Sequence, residues 1–279
     1  MVSITVRENS EERRNSMMKG TWKRRLRIIL FCAMSSVSLA AATTAVAHDS
    51  DWNAGRIPLK AATMIIEYND TAEDVGVQFF LDSDGWREIE IFDPRGRQIF
   101  GAETKGKLTR QGGGTELFLE SVEPSLEELP LGKFFRRFPK GTYKFRGRDN
   151  DGNRLTGEAE FTHDIPAGPV MVWPQTVPDE GYECEMIDVN QVVIEWEPVK
   201  TDIDGSDLEI ELYEVIVEND NLNFDVKLPA PANSGPTLKL TVPPELLQPG
   251  TEYIGEVLAV EKSGNQTITE FCFTTAEPE

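Results

Sequence analysis

The sequence predicts an all-β protein of two β-sandwich domains in tandem, with one short helix in the first. Three features predict it. Short β-rich runs separated by turns bearing Asp, Gly or Pro recur from residue 63 to 162 and again from 192 to 275. A proline-rich joint divides the two series. Near the end, Leu247-Gln248-Pro249-Gly250-Thr251-Glu252-Tyr253 feeds a strand on which Tyr253, Gly255, Val257 and Ala259 share one face at a period of two. Pro249 presets φ for the turn and Gly250 relieves the backbone after it. A tyrosine that opens a strand just past such a corner caps upstream backbone with its hydroxyl, a device of β-sandwiches.

At the N-terminus, Lys23-Arg24-Arg25-Leu26-Arg27, the apolar run 28–34, a small-residue stretch and Ala45-Val46-Ala47 supply the three parts of a secretory signal. Cleavage is expected after Ala47, making 1–47 an upstream extension and signal peptide, with Met18 standing directly before the pattern. The apolar part is short and diluted by Ser35, Ser36, Ser38, Thr43 and Thr44, thin for a span of about 20 apolar residues. The expectation is an exported protein, periplasmic or extracellular, with no membrane span after signal cleavage. Residues 48–61 are polar and unpatterned at their start and read as a flexible arm.

The first sandwich is expected over 62–165, with strands at 63–68, 75–81, 86–92, 98–100, 116–119, 142–147 and 155–162. Asp93-Pro94-Arg95-Gly96 is a turn, and Asp149-Asn150-Asp151-Gly152-Asn153 closes a late hairpin. One segment breaks the β rhythm. Ser125 and Glu128 form a capping box, after which Leu131, Phe134, Phe135 and Phe138 recur at helical spacing. Pro130 and Gly132 keep this helix short, and it is placed as a crossover over one end of the sandwich. The Pro139-Lys140-Gly141-Thr142-Tyr143 strand before a Gly-bearing hairpin resembles the pattern of bacterial immunoglobulin-like modules.

Residues 166–180 are the proline-rich linker, which stiffness should hold at a restricted angle. The second sandwich is expected over 181–277. Its Trp196-Glu197-Pro198 strand, its Tyr213-Glu214-Val215 strand, the Leu-x-Pro-Gly-Thr-x-Tyr corner and a terminal Phe273-Thr274-Thr275 strand, in that order, resemble a fibronectin type III domain over about 169–276. The resemblance implies seven strands with Trp196 and Tyr253 in or beside the core, and no catalytic role for either. The chain departs from that family in its cysteines: Cys184 and Cys272 bracket the domain, and export makes an even pair read as a disulfide.

Charge bounds the partners. The formal net charge is -20, and because the first 47 residues hold eight Lys/Arg and three Asp/Glu, the remainder carries 20 cations against 45 carboxylates. Such a field repels DNA, RNA and anionic lipid, so no nucleic acid is expected as a partner. Against it, Lys133, Arg136 and Arg137 lie opposite the aromatic stripe of the helix, followed by Lys140 and Lys144, and form a candidate patch for docking an acidic protein or glycan.

Chemistry-bearing constellations are sparse. There is no Gly-x-Ser-x-Gly elbow, only two histidines exist to act as a base, and Gly112-Gly113-Gly114 reads as a turn and not a phosphate loop. Cleavage after Ala47 would make His48 an amino-terminal metal chelator with His163 as the other candidate ligand. Asp82-Ser83-Asp84-Gly85, Asp149-Asn150-Asp151-Gly152 and Asp202-Ile203-Asp204-Gly205 place oxygen ligands as Ca²⁺ loops do, without the full twelve-residue loop. Asn69-Asp70-Thr71 and Asn265-Gln266-Thr267 are glycosylation sequons. The leading expectation is a non-enzymatic binding protein without cofactors, in which the type III module spaces or presents the N-terminal sandwich. The alternatives are a polysaccharide-active or copper-dependent enzyme using His48, and a calcium-dependent adhesin.

Overall fold

A computed structural model of the chain describes residues 56–176, 183–232 and 235–277. The expected signal segment, its cleavage point and His48 lie outside the described residues. Alternation of apolar and polar residues sets the strands, and two sheets stack over each of two separate hydrophobic cores, as the all-β expectation requires.

The N-terminal core lies between two layers. One holds β2 (Ala61–Asn69), β3 (Asp74–Trp86) and β6 (Gly114–Glu120). The other is a five-stranded sheet formed by β1 (Arg56–Pro58), β8 (Arg154–Phe161), β7 (Gly141–Arg148), β4 (Glu88–Phe92) and β5 (Gln98–Glu103), in that order. Met64, Ile66, Val77, Phe79 and Leu81 face Ile89, Ile91, Tyr143, Phe145 and Phe161 across the gap. Two short helices occur here among the described residues, where the sequence led us to expect one. The unexpected one, α1 (Lys107–Gln111), has no buried residue, so no apolar stripe announced it. The expected one, α2 (Leu131–Arg137), carries the chain from one sheet to the other and buries Phe134. Its N-cap is Pro130, with no side-chain cap; Ser125 Oγ instead accepts from the Glu128 backbone N–H at 3.4 Å, capping the turn ahead of it.

Asp82-Ser83-Asp84-Gly85, expected as a turn, lies inside the long strand β3, whose register with β6 shifts between Asp82 and Trp86. The bulge accommodates Gly113, at φ 90°, where a Cβ would strike the Trp86 carbonyl.

The C-terminal core lies between three strands and four. β9 (Met171–Trp173), β11 (Val193–Trp196) and β14 (Leu238–Thr241) make the smaller sheet. β13 (Asn223–Pro229), β12 (Ile210–Glu218), β15 (Glu252–Glu261) and β16 (Gln266–Thr275) make the larger, and the short β10 (Glu185–Ile187) runs parallel to the end of β16. Apart from β10, three strands thus face four across this core. Trp196 is buried and leans on Tyr213 with ring centroids 5.5 Å apart, and the Tyr253 hydroxyl accepts the Gln248 N–H at 2.7 Å. β9 falls within the stretch expected as linker, where it pairs with β11. Cys184 and Cys272 are joined as a disulfide.

The two larger layers are one sheet. β16 pairs in parallel with β2, aligning Gln266 with Glu67, Thr267 with Tyr68 and Ile268 with Asn69, so an eight-stranded sheet runs through both sandwiches. The described residues accordingly cluster as one compact unit. Asn265 pins the seam: its Oδ1 accepts the Ile66 N–H at 2.8 Å, while its Nδ2 donates to Thr162 Oγ1 and the Asp164 carbonyl. Further bonds run from Asp70 N to the Ile268 carbonyl, from Thr267 Oγ1 to the Pro166 carbonyl and from Glu270 N to Thr71 Oγ1.

Candidate functional site

α2 sits at one end of the N-terminal sandwich because its aromatic residues have somewhere to go. Phe134 enters the core, Phe138 packs on it at 5.3 Å, and Phe135 stacks on the His163 ring at 4.1 Å with an interplanar angle of 17°. Burying this stripe leaves the opposite side in water. Lys133, Arg136 and Arg137 are all exposed there, as is Lys140 after the helix. Among the described residues, none of these four forms an ion pair with a carboxylate. Some exposed cations are engaged: Arg148 pairs with Glu88 at 3.1 Å, Arg97 with Asp93 at 2.7 Å, and Arg146 lies over the Phe92 ring at 4.9 Å. Arg95, Lys107, Arg110, Lys144, Arg154 and Lys200 are exposed and, like the cations of the helix, form no ion pair among the described residues.

His163 belongs to the support of this helix. Its Nε2 donates to the Phe138 carbonyl at 2.8 Å, and Phe161 meets the ring edge-on, so the imidazole closes the last turn of α2 against the sandwich. A proton on Nε2 removes that nitrogen from metal ligation.

The aspartate loops use their first carboxylate internally. Asp149 Oδ1 accepts from the backbone N–H of Asp151 and Asn153, and Asp202 Oδ1 from those of Asp204 and Ser206. These are Asx turns. Asp84, in a strand, pairs with Lys60 at 2.6 Å. Both sequons are closed to glycosylation in the folded state. Asn265 Nδ2 is spent on the seam, and Asn69 is buried with its Nδ2 donating to Glu270 Oε1 at 2.6 Å.

Sequence reasoning missed a set of carboxylates on the side of the shared sheet that faces away from both cores. Glu67, Glu214, Glu256 and Glu270 are buried there. Burial raises Glu67 well above the usual carboxylate range, with the neighbouring charges of Glu123 and Glu120 adding to it. Glu256 is raised in the same way by burial and by Glu270, its cross-strand neighbour. Glu214 is pushed up to about 7 by burial, which outweighs its 3.2 Å pair with Lys227. Alternation with core residues was legible; what took the outward positions from water was not.

No family description matches the chain, and no curated protein matches it. Similar solved structures include a tetra-tandem repeat from the extending region of a large adhesion protein, at 14% identity over 77% of this chain and 49% of that one, with a TM-score of 0.27. A second comes from a 1.5-MDa bacterial ice-binding adhesin studied for host cell surface retention, at 13% identity over 81% and 66%, TM-score 0.25. A third is chicken CNTN1 FN1–FN3, at 12% identity over 80% and 65%, TM-score 0.30. The chain thus spans about half to two-thirds of the length of these structures. At such scores the likeness carries no functional argument, which rests on the side chains above.

Proposed function

We propose that this is an exported, non-enzymatic binding protein in which the type III-like sandwich spaces or presents the N-terminal one, and that α2 docks an acidic protein or glycan. The observation that carries the reading is the exposed cluster Lys133, Arg136 and Arg137, unpaired among the described residues, in a chain with a net charge of -20. Three cations carried on one short helix of so acidic a chain attract an anionic partner and steer it to that helix. The aromatic anchor beneath them keeps the cations on one rigid turn, so little order is lost on binding. The disulfide supports an oxidising compartment, periplasmic or extracellular.

The test is binding of the wild type and of a K133E/R136E/R137E variant to immobilised acidic peptides and to sulfated or uronate oligosaccharides. Wild type should bind at least one of them with an affinity that falls as salt rises. The variant should lose roughly 10-fold or more, since three surface charges at about 0.5 kcal/mol each exceed 1.4 kcal/mol. Equal binding by both proteins, or a turnover abolished by substituting one described carboxylate or His163, contradicts the reading.

A further inference from the structure

A cluster of carboxylates sits at the seam of the two sandwiches. Glu67 projects from β2, Glu120 ends β6, and the chain just beyond brings Glu123 back over the sheet. Gly76 makes the room: a Cβ there would lie 2.7 Å from the Glu123 side chain. One oxygen from each of the three lies within 4.8 Å of the others. Gln78, cross-strand partner of Glu120 and 2% exposed, reaches the same place, its Nε2 donating to Glu120 Oε1 at 3.4 Å. Its other amide atom, Oε1, is buried and accepts no hydrogen bond from the described residues. A buried acceptor left without a donor is uncommon in folded proteins and calls for a partner beyond the described residues.

We propose that Glu67, Glu120, Glu123 and the amide oxygen of Gln78 form a binding site for a hard divalent cation of the Ca²⁺ class. The donors are all oxygen, which selects hard cations over those that seek imidazole or thiolate. Oxygens on opposite sides of Ca²⁺ stand about 4.6 to 5.2 Å apart, a span that the mutual spacing of the three carboxylates fits within. The orphaned oxygen of Gln78 gains an electropositive partner. The site also reaches the C-terminal sandwich, because Glu67 accepts a hydrogen bond from Gln266 of β16. A bound ion therefore braces the seam. The inference is independent of the α2 reading, and it uses none of the aspartate loops, whose leading carboxylates already serve their own turns.

The experiment takes the full chain, stripped with chelator, and titrates it with CaCl₂ by calorimetry and by thermal unfolding. One saturable site is expected, with the unfolding midpoint raised by roughly 5 °C at saturation. E120Q and E123Q, at half-buried positions, should each weaken Ca²⁺ binding about 10-fold or more while retaining a cooperative metal-free transition. A D149N/D202N variant should bind as the wild type does. No saturable binding overturns the proposal, as does binding unchanged in E120Q and E123Q or lost in D149N/D202N.

Discussion

Glu214 is a carboxylate that the sheet has taken out of water. Its folded pKa of about 7 lies above its ordinary 4.5, so the folded chain holds a proton that the unfolded chain releases between those values. The stability this contributes is complete below about pH 4.5 and is lost as pH rises through about 7. Glu256 and Glu270, raised by burial, act in the same direction. The unfolding midpoint should fall between pH 4.5 and 8. E214Q, which cannot ionise, should be more stable than the wild type at pH 8 by up to about 3 kcal/mol, with the gap closing near pH 4.5. Urea unfolding of both proteins at the two pH values checks this, and a gap independent of pH contradicts it. Asn265 shows the limit of reading residues singly. Its sequon marks a surface site, yet the seam buries it and uses both ends of its amide. Nothing local in the sequence records a partner 199 residues away.

At the scale of elements, what the sequence revealed was local. The Tyr253 corner follows from Pro249, Gly250 and a period of two, and the hydroxyl meets upstream backbone as that pattern requires. Gly255 fits equally well afterwards, since a Cβ there would collide with the Phe271 ring. The β7–β8 hairpin around Asp149 was legible for the same reason, its turn chemistry lying within five residues. Elements held by distant neighbours were not: β9 has three residues and depends on β11, and Asp82 to Gly85 read as a turn because the strand through them is sustained by β6. The cysteines were legible because their constraint is covalent. Their disulfide closes a loop of 88 residues and ties the segment before β10 to β16. On chain entropy it contributes about 4 to 5 kcal/mol as an upper figure. Reduction should lower the urea midpoint of the full chain; a midpoint unchanged by reductant shows that the bond does not stabilise the fold.

For the whole molecule, the decisive feature is that one sheet serves two cores. A stiff proline-rich linker alone would restrict the angle between two sandwiches without joining them, whereas here the β16–β2 pairing and the Asn265 bonds make each sandwich part of the other's edge. That arrangement covers two edge strands that would otherwise be open for pairing. It also fixes the direction in which α2 presents Lys133, Arg136 and Arg137 relative to the C-terminal sandwich. The sequence carried both cores in its alternation, but parallel pairing between strands some 200 residues apart left no pattern that either strand alone would show. Scanning calorimetry of the full chain tests this union most directly. A single transition is expected, with calorimetric and van't Hoff enthalpies that agree, and it should split or broaden in N265A, which strips Ile66 N–H of its acceptor. Two well-separated transitions in the wild type, unmoved by N265A, would contradict it and return the chain to two independent modules on a linker.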